Sequence, residues 1–451
     1  MTQLSEQNMA SAIVIVGLGQ TGLSCVRYFL KQGIVPVVVD SRNAPPGQDE
    51  LPAQVTLYKG GLHPEVLLQA KQLIVSPGIA IATPEIAAAQ QSGVEVIGDI
   101  ELFVRAAKAP IIAITGSNGK STVTTLVGEM ANAAGVRTAI GGNIGIPALD
   151  LLDLDLRDVA DPYQLYVLEL SSFQLETTHS LQAVAATVLN VSDDHLDRYA
   201  DFEAYRQAKL LIYQHAQTIV TNRDDGLTVC AKQDGCGDAI KHSFGEDAAD
   251  YGLIQKQGST WLAYQGEGII SADELQITGV HNWMNALSAI ALLDAAGVNR
   301  VKTLPGLRKF TGLAHRCEFI RELNGVRWIN DTKATNVGAA LAALDGLKSS
   351  VKGRLYLIAG GDGKGADFSP LIPALHDDIA LTYCFGKDGG RFAALSENTK
   401  LVDDLDSAIA EISQLVQPGD WVLLSPACAS IDMYANFMAR GDHFRALVKA
   451  L

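Results

Sequence analysis

Three successive segments of this 451-residue chain repeat one pattern: an apolar run, a glycine or polar turn, then apolar residues at helical spacing. Parallel strands need long crossovers, usually helical, so such a chain has few folds open to it. The expected class is α/β, with three mostly parallel Rossmann-like sheets carrying helices on both faces. The composition suits buried parallel strands and many tight turns, with 48% hydrophobic residues, 6% aromatics and 42 glycines.

The first segment opens on "SAIVIVGLGQTGLSCVRYFLKQGIVPVVVD". A buried strand runs into Gly17-Leu18-Gly19-Gln20-Thr21-Gly22, which is G-x-G-x-x-G, then a helix and a second strand ending in Asp40. That unit presents a helix N-terminus to a diphosphate. It does not say which diphosphate: NAD and a UDP-sugar both present one. A later strand, "QLIVSPGI", ends in a second turn at Gly78.

The second segment begins with "PIIAITGSNGKST". Ile114 stands where the common phosphate loop has its first glycine, so only Gly116-Ser117-Asn118-Gly119-Lys120-Ser121 is present, followed by Thr122. Strand, glycine loop and helix together aim N–H groups and the helix dipole at a phosphate. Lys120 adds a point charge and Ser121 a hydroxyl able to ligate Mg²⁺. "LYVLELSSFQLE" and "AATVLNVSDDHLDRY" each put polar residues after an apolar run, which makes Glu169, Asp194 and His195 candidates for one cleft. In "DFEAYRQAKLLIY", Phe202, Tyr205 and Ile212 share a helical face with Lys209. That lysine either snorkels to solvent or points inward with a chemical role. The stretch about 222–270 is of mixed polarity, and small strands and loops are expected there.

With 50 acidic and 35 basic residues, the net charge of −15 argues against non-specific binding to nucleic acid or membranes. No signal peptide or membrane span is evident, so a cytoplasmic protein is expected. The six cysteines show no C-x-x-C pair, and reduced thiols are expected.

Taken together, "TGSNGKST", "GGNIG", "LELSSFQLE", "DDHLDRY", "HNWMNALSA", "HRCE", "NDTKATN", "GGDGKGADF" and "SPACASID" resemble the Mur ligases along essentially the whole chain. The resemblance implies a UDP-sugar domain over 1–98, a central ATPase domain over 99–311 and an amino-acid-binding domain over 312–451. It further implies ATP-dependent addition of D-glutamate to UDP-N-acetylmuramoyl-L-alanine through an acyl phosphate, by a monomer. Another amino-acid-adding ligase of Mur or folylpolyglutamate type is the alternative. A nicotinamide dehydrogenase and a non-catalytic nucleotide-binding regulator are rivals from other classes.

By the same resemblance, Gln20, Thr21, Asp40, Ser41, Arg42 and Gly78 would line the uridine nucleotide site, and Asn143 would contact the muramoyl-alanine side. Lys120 and the loop Gly116–Thr122 would hold the ATP phosphates, with Asn282, Asn285, Arg316, Asp331 and Lys333. Ser121 and Glu169 would bind a first Mg²⁺. His195 and a carbamylated Lys209 would bind a second. Thr335, Lys364, Ser430 and Phe437 would hold D-glutamate.

Overall fold

The structure is a computed structural model that describes residues 13–157, 161–192, 198–230, 236–277, 279–348 and 351–451. It contains three sheets, each built mainly of the parallel pairings that the recurring pattern predicts.

The first sheet comprises β1 (Ile13–Val16), β2 (Val37–Asp40), β3 (Thr56–Lys59), β4 (Gln72–Val75) and β5 (Glu95–Ile97), in the order β3-β2-β1-β4-β5. Every pairing in it is parallel. Alternate residues of one strand serve two cores: Val14 and Val16 pack in one cluster, Ile15 in another. That is why these strands read as unbroken apolar runs.

The second sheet comprises β6 (Ile111–Thr115), β7 (Thr138–Gly142), β8 (Leu165–Glu169), β9 (Ala185–Val188), β10 (Thr218–Asn222), β11 (Ile240–Phe244), β12 (Tyr251–Lys256), β13 (Ser259–Tyr264) and β14 (Glu267–Ser271). Its order is β14-β13-β12-β11-β10-β9-β6-β8-β7. The mixed-polarity stretch thus forms small strands at one edge, with an antiparallel β12–β13 pair. One core cluster runs from Ile15 and Ile74 of the first sheet to Tyr166 and Ala186 of the second.

The third sheet comprises β15 (Glu318–Leu323), β16 (Val326–Asn330), β17 (Leu355–Gly360), β18 (Leu381–Phe385), β19 (Thr399–Leu401) and β20 (Trp421–Leu424), in the order β15-β16-β20-β17-β18-β19. Only the β15–β16 pair is antiparallel. Its two faces again carry separate cores, Leu357 and Leu423 on one side, Tyr356 and Leu424 on the other. The chain divides into two compact units, one of residues 1–270 and 285–307, the other of 271–284 and 308–451.

The expectation of reduced cysteines is corrected at one pair. Cys230 and Cys236 form a disulfide with Cα atoms 6.2 Å apart, inside the usual span of a cystine. The spacing is C-x₅-C, which a search for C-x-x-C passes over. Cys25, Cys317, Cys384 and Cys428 are free.

Candidate active site

At the carboxyl ends of β1, β2 and β4, the G-x-G-x-x-G turn closes tightly. Gly17 has φ +98°, and its N–H donates to Val39 O at 2.8 Å. A Cβ on Gly22 would fall 2.0 Å from Gly17 O, so the third glycine is required for the helix Gln20–Lys31 to pass this close. Beside the turn lies a cavity of about 630 Å³. It is lined by Gln20, Thr21, Asp40, Ser41, Arg42, Gly78 and Asn143, the residues that the family resemblance implies for a UDP-sugar. Ser76, Ile144, Pro147 and Gln174 line it as well, and sequence reasoning had not singled them out. Gln174 is buried in a reciprocal cap with Ser171 just beyond β8, a signal that S-x-x-Q after an apolar run carries.

Asp40 is 1% exposed, and its carboxylate is fully engaged. Oδ1 accepts from Arg42 N and Nε, both at 2.9 Å. Oδ2 accepts from Leu18 N at 2.8 Å and Arg42 Nη2 at 2.7 Å. Burial pushes its carboxyl upward, but Arg42 and these backbone donors outweigh that and hold it below the usual range. A carboxylate offers about four lone-pair sites, so none is left for a ribose hydroxyl. The dehydrogenase reading loses its acid.

The phosphate loop leaves β6 at Thr115 and turns through Gly116 (φ +152°) and Gly119 (φ +80°) into the helix Lys120–Ala133. A Cβ on Gly119 would come 2.9 Å from Asn285 Oδ1, so Asn285 stands against the loop. Ser121 and Thr122 are buried at the helix start. Lys120 Nζ donates to Gly116 O at 2.8 Å and to Ser117 O at 3.0 Å. Lys209 Nζ reaches the same Gly116 O at 3.0 Å. Lys209 is 2% exposed and sits 4.6 Å from the Tyr205 ring centre, so it does not snorkel to solvent.

Glu169 closes β8 and is 3% exposed. Asn143 holds it twice, by Nδ2 to Oε1 at 3.0 Å and by its N–H to Glu169 O at 2.8 Å. Glu169 Oε2 is buried with no hydrogen-bond partner. A buried, unsatisfied carboxylate oxygen at a strand's carboxyl end suits a hard, oxygen-seeking cation such as Mg²⁺. Asp194 and His195 lie outside the described residues.

The second unit carries most of the remaining candidates on the segments after β16, β17 and β20. Asp331 accepts from Ser425 Oγ at 2.8 Å and Cys317 N at 3.1 Å, and burial pushes its pKa up to about 7. Lys333 Nζ lies 4.1 Å from the centre of the Phe437 ring, and Thr335 N donates to Lys333 O. Lys364 has φ +50°, in a turn closed by its N–H on Asp362 Oδ1 at 2.9 Å. Asp362 and Ala429 exchange two backbone hydrogen bonds of 2.9 Å, joining the Lys364 loop to the buried Ser430. Arg440, 0% exposed, donates to Thr332 Oγ1 at 2.9 Å and to Thr332 O, Cys428 O and Gly360 O at 3.0, 3.1 and 3.4 Å. It ties the three loops together, and nothing in local sequence marks it. Asn282 and Arg316 belong to this unit also. Burial pushes the Cys428 thiol up to about 12, so it is no nucleophile.

A short phosphate loop, a metal-ready carboxylate and a glycine-turn cavity on three α/β sheets describe a nucleotide-dependent ligase, and the chain belongs to the Mur ligase family. Its residues 11–98 match the Mur ligase MurD-like N-terminal domain, 114–293 the Mur ligase middle domain and 315–428 the Mur ligase glutamate ligase domain. It is 54% identical to the UDP-N-acetylmuramoylalanine--D-glutamate ligase of Escherichia coli strain K12, over 97% of this chain and 98% of that protein. The Salmonella typhimurium LT2 protein of the same name is 55% identical over the same shares.

Among solved structures, the MurF ligase of Thermotoga maritima in complex with ADP superposes with a TM-score of 0.60 at 16% identity, over 99% of this chain and 100% of that one. UDP-N-acetylmuramate-alanine ligase MurC of Thermotoga maritima does so at 0.59 and 18%, over 97% and 99%. These two likenesses show the fold.

Proposed function

We propose that this chain joins D-glutamate to UDP-N-acetylmuramoyl-L-alanine at the expense of ATP, as the name of its 54%-identical relative describes. One observation in the structure supports it most: Asn143 lines the UDP-sugar cavity and hydrogen-bonds Glu169. The reacting end of a substrate in that cavity would therefore lie beside the nucleotide's metal carboxylate.

In this reading Gln20, Thr21, Ser41, Arg42 and Gly78 bind the uridine diphosphate, with Asp40 acting by fixing Arg42 and the turn. The amides of Gly116–Thr122 and the Lys120 ammonium hold the β- and γ-phosphates, which requires Lys120 to turn from the loop carbonyls toward the anion. Asn282, Asn285, Arg316, Asp331 and Lys333 complete the ATP site. Ser121 and Glu169 would hold one Mg²⁺, and His195 and Lys209 a second; such cations would neutralise phosphate charge.

The alanyl carboxylate attacks the γ-phosphorus, its bond to the β–γ bridging oxygen breaks and ADP leaves. The D-glutamate amine then attacks the acyl carbonyl, phosphate departs with the C–O bond's electrons and the ammonium proton is lost. Lys364 and Ser430, with Thr335 and Phe437, supply the cation and donors that the amino acid's carboxylates need. Lys209 as an ammonium has no lone pair for a metal. As a carbamate, formed when its neutral amine adds to CO₂ and sheds a proton, it offers two oxygens.

We further assign the domains to 1–98, 99–311 and 312–451, and the protein to the cytoplasm as a monomer. No helix among the described residues is long and apolar enough to cross a membrane.

Phosphate release from ATP tests the proposal, with UDP-N-acetylmuramoyl-L-alanine and a panel of D- and L-amino acids. Release should need both the UDP-sugar and D-glutamate. Release driven by L-lysine or diaminopimelate would reassign the substrate, and NADH binding without UDP-sugar binding would overturn the reading of the first sheet.

A further inference from the structure

Between its two glycines the phosphate loop carries Ser117 and Asn118, and the peptide joining Asn118 to Gly119 can face an anion with either its N–H or its carbonyl oxygen. Gly119 follows at φ +80°, a conformation that glycine enters and leaves at little steric cost. Flipping the 118–119 peptide would swing a carbonyl oxygen toward the phosphates in place of an N–H.

Asn190, just past β9, holds the Asn118 main chain on both sides. Asn118 N donates to Asn190 Oδ1 at 2.8 Å, and Asn190 Nδ2 donates to Asn118 O at 3.1 Å. The side-chain amide stands in for a neighbouring strand, pairing with the loop as a peptide group would. Around this clamp, Ser117 N donates to Asn190 O at 2.9 Å, and Ser192 N donates to Ser117 Oγ at 2.9 Å. The clamp turns the Asn118 carbonyl toward Asn190 and leaves the amides that follow, at the helix start, for the anion.

Resting on the ATP-dependent reading above, we propose that Asn190 is a positioning residue for ATP: it touches no phosphate, and it sets the loop conformation that binds one. Ser117 Oγ makes the reciprocal contact, accepting from Ser192 N and donating to Ser192 O at 3.0 Å, so the two segments hold each other.

The test is Asn190→Ala and Asn190→Asp, with KM for ATP, for UDP-N-acetylmuramoyl-L-alanine and for D-glutamate measured separately. Binding of a non-hydrolysable ATP analogue and the melting temperature are measured alongside. Loss of two neutral hydrogen bonds should raise the ATP KM and the analogue's Kd roughly tenfold, with the other two KM values within about twofold. The aspartate keeps the acceptor for Asn118 N but offers Asn118 O no donor until it is protonated. Its analogue affinity, relative to the native protein at each pH, should recover as pH falls toward its pKa. An unchanged ATP KM in folded Asn190→Ala overturns the proposal. So does a parallel rise in all three KM values with a lowered melting temperature, which would mark a structural residue. If the alanine variant does not fold, the pH dependence of Asn190→Asp decides, a flat ratio refuting the idea. Native protein that neither binds nor hydrolyses ATP would refute the ligase reading itself.

Discussion

Replacing Arg440 by methionine keeps much of the stem's volume and removes the guanidinium. Burial lowers its pKa to about 10, so it is charged at neutral pH. Three of its hydrogen bonds are 3.1 Å or shorter, and a fourth, to Gly360 O, is 3.4 Å and weak. Each good bond from a charged donor contributes roughly 1.5–3 kcal/mol, offset in part by the several kcal/mol that burying the charge costs. The variant regains the desolvation but strands buried acceptors at Thr332 O and Cys428 O, about 1–3 kcal/mol each. The net loss should be about 3–5 kcal/mol, confined to the unit that Arg440 belongs to. In a chain of several domains one unfolding midpoint is not a clean measure, so amide hydrogen exchange by peptide is the assay. Exchange in Leu355–Gly360 and Trp421–Leu424 should accelerate by about two to three and a half orders of magnitude, at 1.4 kcal/mol per tenfold, with Ile13–Val16 unchanged. A change below tenfold in those strands would refute the view that one arginine holds the three loops. Arg440→Lys should recover only part of the loss, because the planar fork is gone.

Glu169→Gln keeps an acceptor for Asn143 and removes the charge on the unpartnered oxygen. The Mg²⁺ needed for half-maximal rate should rise at least roughly tenfold, and Mn²⁺ binding by paramagnetic resonance should weaken alike; unchanged Mn²⁺ affinity would remove Glu169 from the metal site. Lys209→Ala should lose most activity yet still bind the UDP-sugar, with partial rescue by acetate, and the native enzyme should slow in CO₂-stripped buffer; full activity of the variant would end the carbamate idea. Asp331 has a folded pKa of about 7 against 3.8 ordinarily, and Asp99 one of about 6, both raised by burial. The folded state therefore binds these protons more tightly, so their stabilisation is complete below about pH 3.8 and is lost as pH rises through 6–7. Relative to Asp331→Asn, the native protein should lose up to about 4 kcal/mol between pH 4 and 8. Melting curves of the two that run parallel across that range would contradict it.

Most of what periodicity can encode was legible. Parallel strands buried on both faces read as apolar runs, and turns that only glycine can make, such as Gly22 against Gly17 O, stand out in sequence. Candidates spaced from Gln20 to Asn143 line one cavity because each follows a strand of an adjacent pair of sheets. What stayed hidden depends on partners distant in sequence. Asn190 meets Asn118 across 72 residues, and Arg440 meets Thr332 across 108. Gln174 lines the cavity only because two sheets share a core. Lys209 could be read as inward-facing, but its bond to Gly116 O, 93 residues away, could not.

The saturated Asp40 bears on how such chains are recognised. A strand, three spaced glycines and an acid at the next strand's end are commonly taken to mean a hydride carrier. Here Arg42, two residues beyond the acid, occupies three of the four lone-pair sites, and Leu18 N takes the last. The turn is present here without a free acid for a ribose contact. In this chain the arginine two residues past the acid takes the place a ribose hydroxyl would need, so the glycine spacing by itself does not identify a nicotinamide site.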